Sequence, residues 1–244
     1  MHFLKPEFWE IPTPTERDFA NLAEKETALF ERIRHIASSH QNVKLASSLA
    51  VEDMVITDVI AKAGVRIGVF TLETGRLNAE TLALVDEVKN RYPQLDFQLY
   101  FPEPEKAAQY DRQKGAFAFY ESVELRRECC FIRKIEPLNR ALKDADAWLT
   151  GQRREQSVTR TALAFHEQDQ SRAIDKYNPI FDWSEREVWA YILKHQIPYN
   201  ALYKQGYPSI GCEPCTKPVK KDEDIRAGRW WWENKDSKEC GLHK

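Results

Sequence analysis

The chain has 244 residues, enough for one sizeable α/β domain or two small ones around a real core. Its 36 Lys and Arg against 38 Asp and Glu leave a formal net charge of -2, which gives no reason to expect general binding to nucleic acid or an anionic membrane. No stretch reaches the roughly 18 to 20 uninterrupted apolar residues of a spanning helix. The opening MHFLKPEFWEIPTPTERDF carries Glu7, Glu10, Glu16 and Asp18, unlike a secretory signal or transit peptide, so a cytoplasmic location is expected.

Residues 1–42 read as a helical, polar preface. From Val43 the pattern changes. VKLASSL reads as a short strand ending in small hydroxyl residues, and EDMVITDVIAKAG as a helix stopped by Gly64. RIGVFTLET is a second strand. NAETLALVDEVKNRYP is an amphipathic helix with Asn78 as cap and Pro93 past its end, and FQLYF is a third strand. A helical stretch from Glu105 holds Cys129 and Cys130 near the start of the segment that continues as FIRKIEPLNRALKD. DAWLTGQ is a fourth strand and IDKYNPIFDW is irregular or extended. SEREVWAYILKHQ is a helix with Ser184 and Glu187 as a capping box. Strands alternating with helices of this length predict βαβ units, hence a mostly parallel sheet flanked by helices. After Tyr199 the pattern dissolves, and ENKDSKECGLHK reads as a mobile C-terminal tail. One domain is the economical organisation: the preface, a core over 43–229 and a tail over 230–244.

Three turns carry candidate ligand groups. Ser47 to Asp53 lies between a strand and a helix, where backbone N–H groups and hydroxyls make an anion site; for this turn alone, plain N-capping with Glu52 and Asp53 in the first turn is the simpler explanation. Thr71 to Leu77 ends the next strand, where Thr74, Gly75 and Arg76 can meet a ligand. Thr150 to Ser157 follows the fourth strand, with Arg153 and Arg154 as forked donors for phosphate or sulfate, or as surface arginines paired with Glu155.

The five cysteines divide four plus one. The Cys129–Cys130 pair and the Cys212, Cys215 C-x-x-C supply the thiolates of an iron–sulfur cluster or a zinc site, and the adjacent pair suits a cluster better. The C-x-x-C alone could be a redox dithiol. Cys240 stands apart among Lys238, His243 and Lys244, cations that favour its thiolate; an inert exposed cysteine is the plainer alternative.

Taken together, SSLAVED, LETGRL, ECCFIRKIEPL, TGQRREQS, GCEPC and ECGLHK resemble the assimilatory sulfonucleotide reductases, specifically their iron–sulfur adenylyl-sulfate branch, from Val43 to the C-terminus. Leu49 departs from that pattern, where relatives often carry an aromatic. The resemblance implies an adenine nucleotide α-hydrolase-like fold, a modified Rossmann-type sheet. It implies a [4Fe-4S] cluster on Cys129, Cys130, Cys212 and Cys215, with Lys134 between cluster and substrate. It implies nucleotide contacts from Ser47, Ser48, Glu52, Asp53, Thr74, Gly75 and Arg76, and sulfate and phosphate contacts from Lys134, Arg153, Arg154, Arg226, Arg229 and His243. Cys240 would attack the sulfuryl sulfur of adenosine 5′-phosphosulfate, and thioredoxin or glutaredoxin would release sulfite from the resulting thiosulfonate.

Three alternatives remain open at this stage. The first is a reductase of 3′-phosphoadenosine 5′-phosphosulfate, a branch that usually lacks the cluster cysteines. The second is an ATP pyrophosphatase or tRNA-thiolation enzyme, disfavoured because S-G-G-x-D-S is absent. The third is a zinc-bearing binding module without catalysis. The sequence leaves a homo-oligomer open.

Overall fold

The structure, a computed structural model, describes residues 7–156 and 162–234. Among these residues six strands form one sheet: β1 (Val43–Ala46), β2 (Ile67–Leu72), β3 (Phe97–Tyr100), β4 (Ala147–Leu149), β5 (His166–Asp169) and β6 (Ile174–Tyr177). Their order is β3-β2-β1-β4-β6-β5. All neighbours are parallel except β5 with β6, so the sheet is mostly parallel, as expected. Val43 stands opposite both Ile67 and Ala147, which makes β1 a central strand. The chain winds from β1 outward to β3, then returns to place β4 on the other side of β1. That reversal opens a crevice beyond the carboxyl ends of β1 and β4, where ligands of open α/β sheets bind.

Among the described residues the α-helices are α1 (Glu16–Ser39), α2 (Val51–Ala63), α3 (Ala79–Arg91), α4 (Pro104–Lys114), α5 (Val123–Cys130), α6 (Glu136–Ala141) and α7 (Glu185–Lys194). Residues Val51 to Ile60 of α2 are all buried, the mark of a helix covered on every side. It lies between the sheet and α1 and α7, and Gly64 closes it in the left-handed conformation (φ 62°). Asp58, a buried carboxylate of α2, accepts from the Tyr92 and Tyr191 hydroxyls at 3.0 and 2.5 Å and pairs with Lys62. The N-terminal preface is amphipathic: Leu22, Leu29, Ile33 and Ile36 of α1 belong to the main core, and Arg32 ties it to Asp182. Ser184 and Glu187 form the expected capping box on α7.

Two regions depart from the sequence reading. IDKYNPIFDW contains β6, and β5 precedes it unannounced. His166–Asp169 is a polar, largely exposed edge strand, so it shows no hydrophobic alternation to read. The cysteine pair closes α5 rather than opening a new helix. The rod continues through a π-helical turn, Phe131–Ile135, in which the Glu136 N–H donates to the Phe131 carbonyl, and then into α6. Pro137 lacks the N–H that a regular α-turn needs here, which accounts for the wide turn before it.

Candidate functional site

A cavity of about 270 Å³ occupies the crevice at the carboxyl ends of β1 and β4. Ser47, Ser48, Glu52, Asp53, Thr74, Lys134, Arg153, Arg226 and Arg229, all singled out in the sequence, line it.

The turn after β1 is not an empty anion cradle. The Ser48 N–H and hydroxyl both donate to Asp53 Oδ2 at 2.7 Å, and the Leu49 N–H donates to Ser47 Oγ. Burial pushes the Asp53 carboxyl up to about 6 despite the Ser48 bonds, and Glu52 beside it adds to the rise. The turn after β4 packs directly onto this one. A Cβ on Gly151 would lie 2.9 Å from Glu52 Cβ, so only glycine fits. The two expected arginines separate. Arg153 is buried and holds Glu52 Oε1 at 2.7 and 3.1 Å, so its fork is already engaged. Arg154 turns away from the cavity, donating to the Leu163 carbonyl and covering the Phe181 ring at 4.6 Å.

The turn after β2 faces the cysteines. The Thr74 hydroxyl lies 3.3 Å from Cys212 Sγ, and the Glu213 N–H donates to the Arg76 carbonyl. Gly75 adopts φ 71°, and its N–H donates to Glu73. Arg76 does not line the large cavity. It pairs with Asp111 at 2.9 Å and lies over the Phe119 ring, against a second, smaller cavity.

That second cavity is walled by Cys129, Cys130, Cys212 and Cys215 together with Arg76, Arg126, Arg133 and Lys134. All four cysteines are buried, and none of them is in a disulfide. Burial and the neighbouring thiols push Cys129 up to about 11 and Cys215 up to about 12. Cys212 differs: burial raises it, but Lys134, the Thr74 hydroxyl and Arg229 together bring it below the ordinary thiol value. Four thiols around one buried space, with cations behind them, fit a bound group that takes one thiolate per metal. Among the described residues no group of three or more His, Cys, Asp or Glu side chains is placed to hold a metal ion. Lys134 lines both cavities and joins the two sites. Arg229 reaches the large cavity because residue 211 is glycine: a Cβ there would lie 2.5 Å from its guanidinium. Cys240 and His243 lie outside the described residues.

Sequence reasoning passed over several side chains. Arg126 is fully buried and forms a bidentate pair with Glu233 at 2.8 Å, against the Trp230 ring. Its place three and four positions before the cysteine pair put it on their helix face, a signal available from spacing. Thr71 Oγ1 and Gln152 Oε1 are buried in the large cavity's wall without a partner among the described residues. Both fall in segments the sequence singles out, Thr71 to Leu77 and Thr150 to Ser157, but nothing in the sequence distinguishes them from their neighbours there.

The phosphoadenosine phosphosulfate reductase domain family matches residues 42–218. The chain is 61% identical over 244 residues, all of both chains, to a protein of Neisseria meningitidis serogroup A named adenosine 5′-phosphosulfate reductase. It is 55% identical over 222 residues, 91% of this chain and 88% of the other, to a protein of that name from Burkholderia cepacia. Among solved structures it is similar to phosphoadenylyl-sulfate reductase from Candida auris in a phosphate complex. That similarity has a TM-score of 0.68 and 27% identity, covering 86% of this chain and 100% of that one.

Proposed function

This chain belongs to the phosphoadenosine phosphosulfate reductase domain family, and on that premise we propose that it reduces adenosine 5′-phosphosulfate to sulfite and AMP in sulfate assimilation, with Cys240 as nucleophile and a thioredoxin-type dithiol protein as reductant. The observation that carries the reading is the pairing of two cavities through Lys134: one sized for a nucleotide at the switch point of the sheet, the other walled by four cysteines. The names of the full-length relatives favour the nucleotide without a 3′-phosphate.

The nucleotide binds in the large cavity, where Thr71 and Gln152 offer unpartnered polar atoms. Lys134, Arg226 and Arg229 face the phosphosulfate and oppose the negative charge that grows on the bridging oxygen. Arg153 acts at one remove, fixing Glu52 and the turn after β1. The Cys240 thiolate attacks the sulfuryl sulfur, the sulfur–oxygen bond to phosphate breaks, and AMP leaves with the electron pair. A dithiol thiolate then attacks Cys240 Sγ and sulfite departs; the second thiol closes the donor's disulfide and returns Cys240 to the thiol. Cys129, Cys130, Cys212 and Cys215 would hold a [4Fe-4S] cluster, which when bound supplies a fixed charge beside Lys134 and the sulfate. Among the described residues no helix is long and apolar enough to cross a membrane. We assign the reaction to the cytoplasm, where its thiols stay reduced.

The test is anaerobic turnover with reduced thioredoxin and either nucleotide as substrate. Sulfite release from adenosine 5′-phosphosulfate, with the 3′-phosphorylated nucleotide at least tenfold poorer, is the expected result (about 1.4 kcal/mol or more of discrimination). Release from the 3′-phosphorylated nucleotide alone would overturn the substrate assignment.

A further inference from the structure

Beside the cysteine cavity lies an exposed aromatic face that the mechanism does not use. Phe117, Tyr120 and Trp231 are 62%, 39% and 36% exposed. They form one contiguous surface: Tyr120 stacks on Phe117 at 6.5 Å and meets Trp231 at 6.2 Å, with Trp232 beneath it at 4.4 Å. The surface is fixed to the cysteine motif, because the Tyr120 hydroxyl donates to the carbonyl of Pro214, between Cys212 and Cys215. Aromatic side chains so held are the residue types that anchor protein interfaces.

Chain length selects the occupant. Cys240 is the sixth residue after Asn234, which itself follows Trp231 by three. Six residues span at most about 20 Å when fully extended. Whatever protein discharges Cys240 must therefore work within that radius of the tail's root, beside this face. We infer that Phe117, Tyr120 and Trp231 form the docking surface for the dithiol protein that releases sulfite from Cys240, a partner with an apolar rim around its attacking cysteine. This inference rests on the proposed role of Cys240. Docking sets the partner thiolate to form a disulfide with Cys240 Sγ as the bond to the sulfonate breaks and sulfite leaves with the electron pair. The partner's second thiol gives up its proton to the departing Cys240 thiolate as the partner's disulfide closes.

Two exposed-site variants of the holoenzyme, Trp231→Ser and Phe117→Ser, test it. The Cys240 adduct is first formed with adenosine 5′-phosphosulfate, then discharged with reduced thioredoxin or with dithiothreitol. Discharge by thioredoxin is expected to fall about tenfold or more in kcat/KM. Adduct formation and discharge by dithiothreitol should stay at the wild-type rate. Unchanged thioredoxin discharge in both variants would overturn the assignment. So would a loss of self-association in sedimentation relative to wild type with discharge unchanged, which would give the face to a second copy of this chain. Wild-type protein that forms no adduct would instead overturn the reading of Cys240, and this inference with it.

Discussion

Replacing Arg126 by Met should be among the most damaging single changes outside the cysteines. Arg126 and Glu233 have side chains 0% and 3% exposed and meet through two bonds of 2.8 Å. Burial alone would make the guanidinium less basic, but Glu233 and Cys130 outweigh it and hold Arg126 above its ordinary value. Removing the cation leaves a carboxylate buried without its charge partner, a loss of about 3–5 kcal/mol. That is a large share of the roughly 5–15 kcal/mol by which domains are stable. Removing both charges is different in kind: Arg126→Met with Glu233→Leu eliminates the orphan and should recover most of the loss, because apolar replacement of a buried pair is often neutral. Anaerobic urea unfolding followed by circular dichroism, run as a double-mutant cycle, reads this directly. A single-variant cost below about 1 kcal/mol, or a double variant as unstable as the sum of the singles, would refute it.

Asp53→Asn should alter the pH dependence of stability. The folded-state pKa is raised from 3.8 to about 6, so the favourable contribution of the protonated acid is complete below 3.8 and is lost as pH rises through about 6. That loss is worth up to about 3 kcal/mol. The Asn variant should therefore gain stability over wild type at neutral pH but not in the acid range; equal differences at both in thermal unfolding would contradict this. Gly211→Ala should displace the Arg229 guanidinium and weaken AMP binding about tenfold in calorimetry while iron content stays normal. Normal affinity would remove Arg229 from the nucleotide site. Cys215→Ser should lower bound iron and labile sulfide and leave little turnover, and full iron loading would exclude Cys215 as a ligand.

Much of this arrangement was legible in the sequence because local chemistry and topology agreed. The Ser184 and Glu187 box, the Gly64 stop and the apolar β1, β2 and β4 are local signals, and the parallel order follows from their alternation with helices. The cysteine partition pointed to Cys129, Cys130, Cys212 and Cys215, and the fold brings all four to one space. What the sequence concealed depends on long-range partners. Arg153 and Arg154 look equivalent as neighbours, yet one is bound to Glu52, 101 positions away, and the other faces Phe181. Arg76 reads as a phosphate ligand until Asp111 and Phe119 are placed beside it. The role of the Trp230–Trp232 run was unreadable. Trp230 is buried between Arg126 and Arg229 against the cysteines, whereas Trp231 is exposed. Nothing in three identical letters distinguishes these environments.

The most direct test of the central claim is the intact mass of the reduced, cluster-loaded protein after mixing with adenosine 5′-phosphosulfate and no dithiol. The expected result is a gain of one sulfite equivalent on the peptide carrying Cys240, lost on adding reduced thioredoxin and absent in Cys240→Ser. Cluster-loaded protein that releases sulfite with no adduct on Cys240, or that carries the adduct on another cysteine, would contradict it.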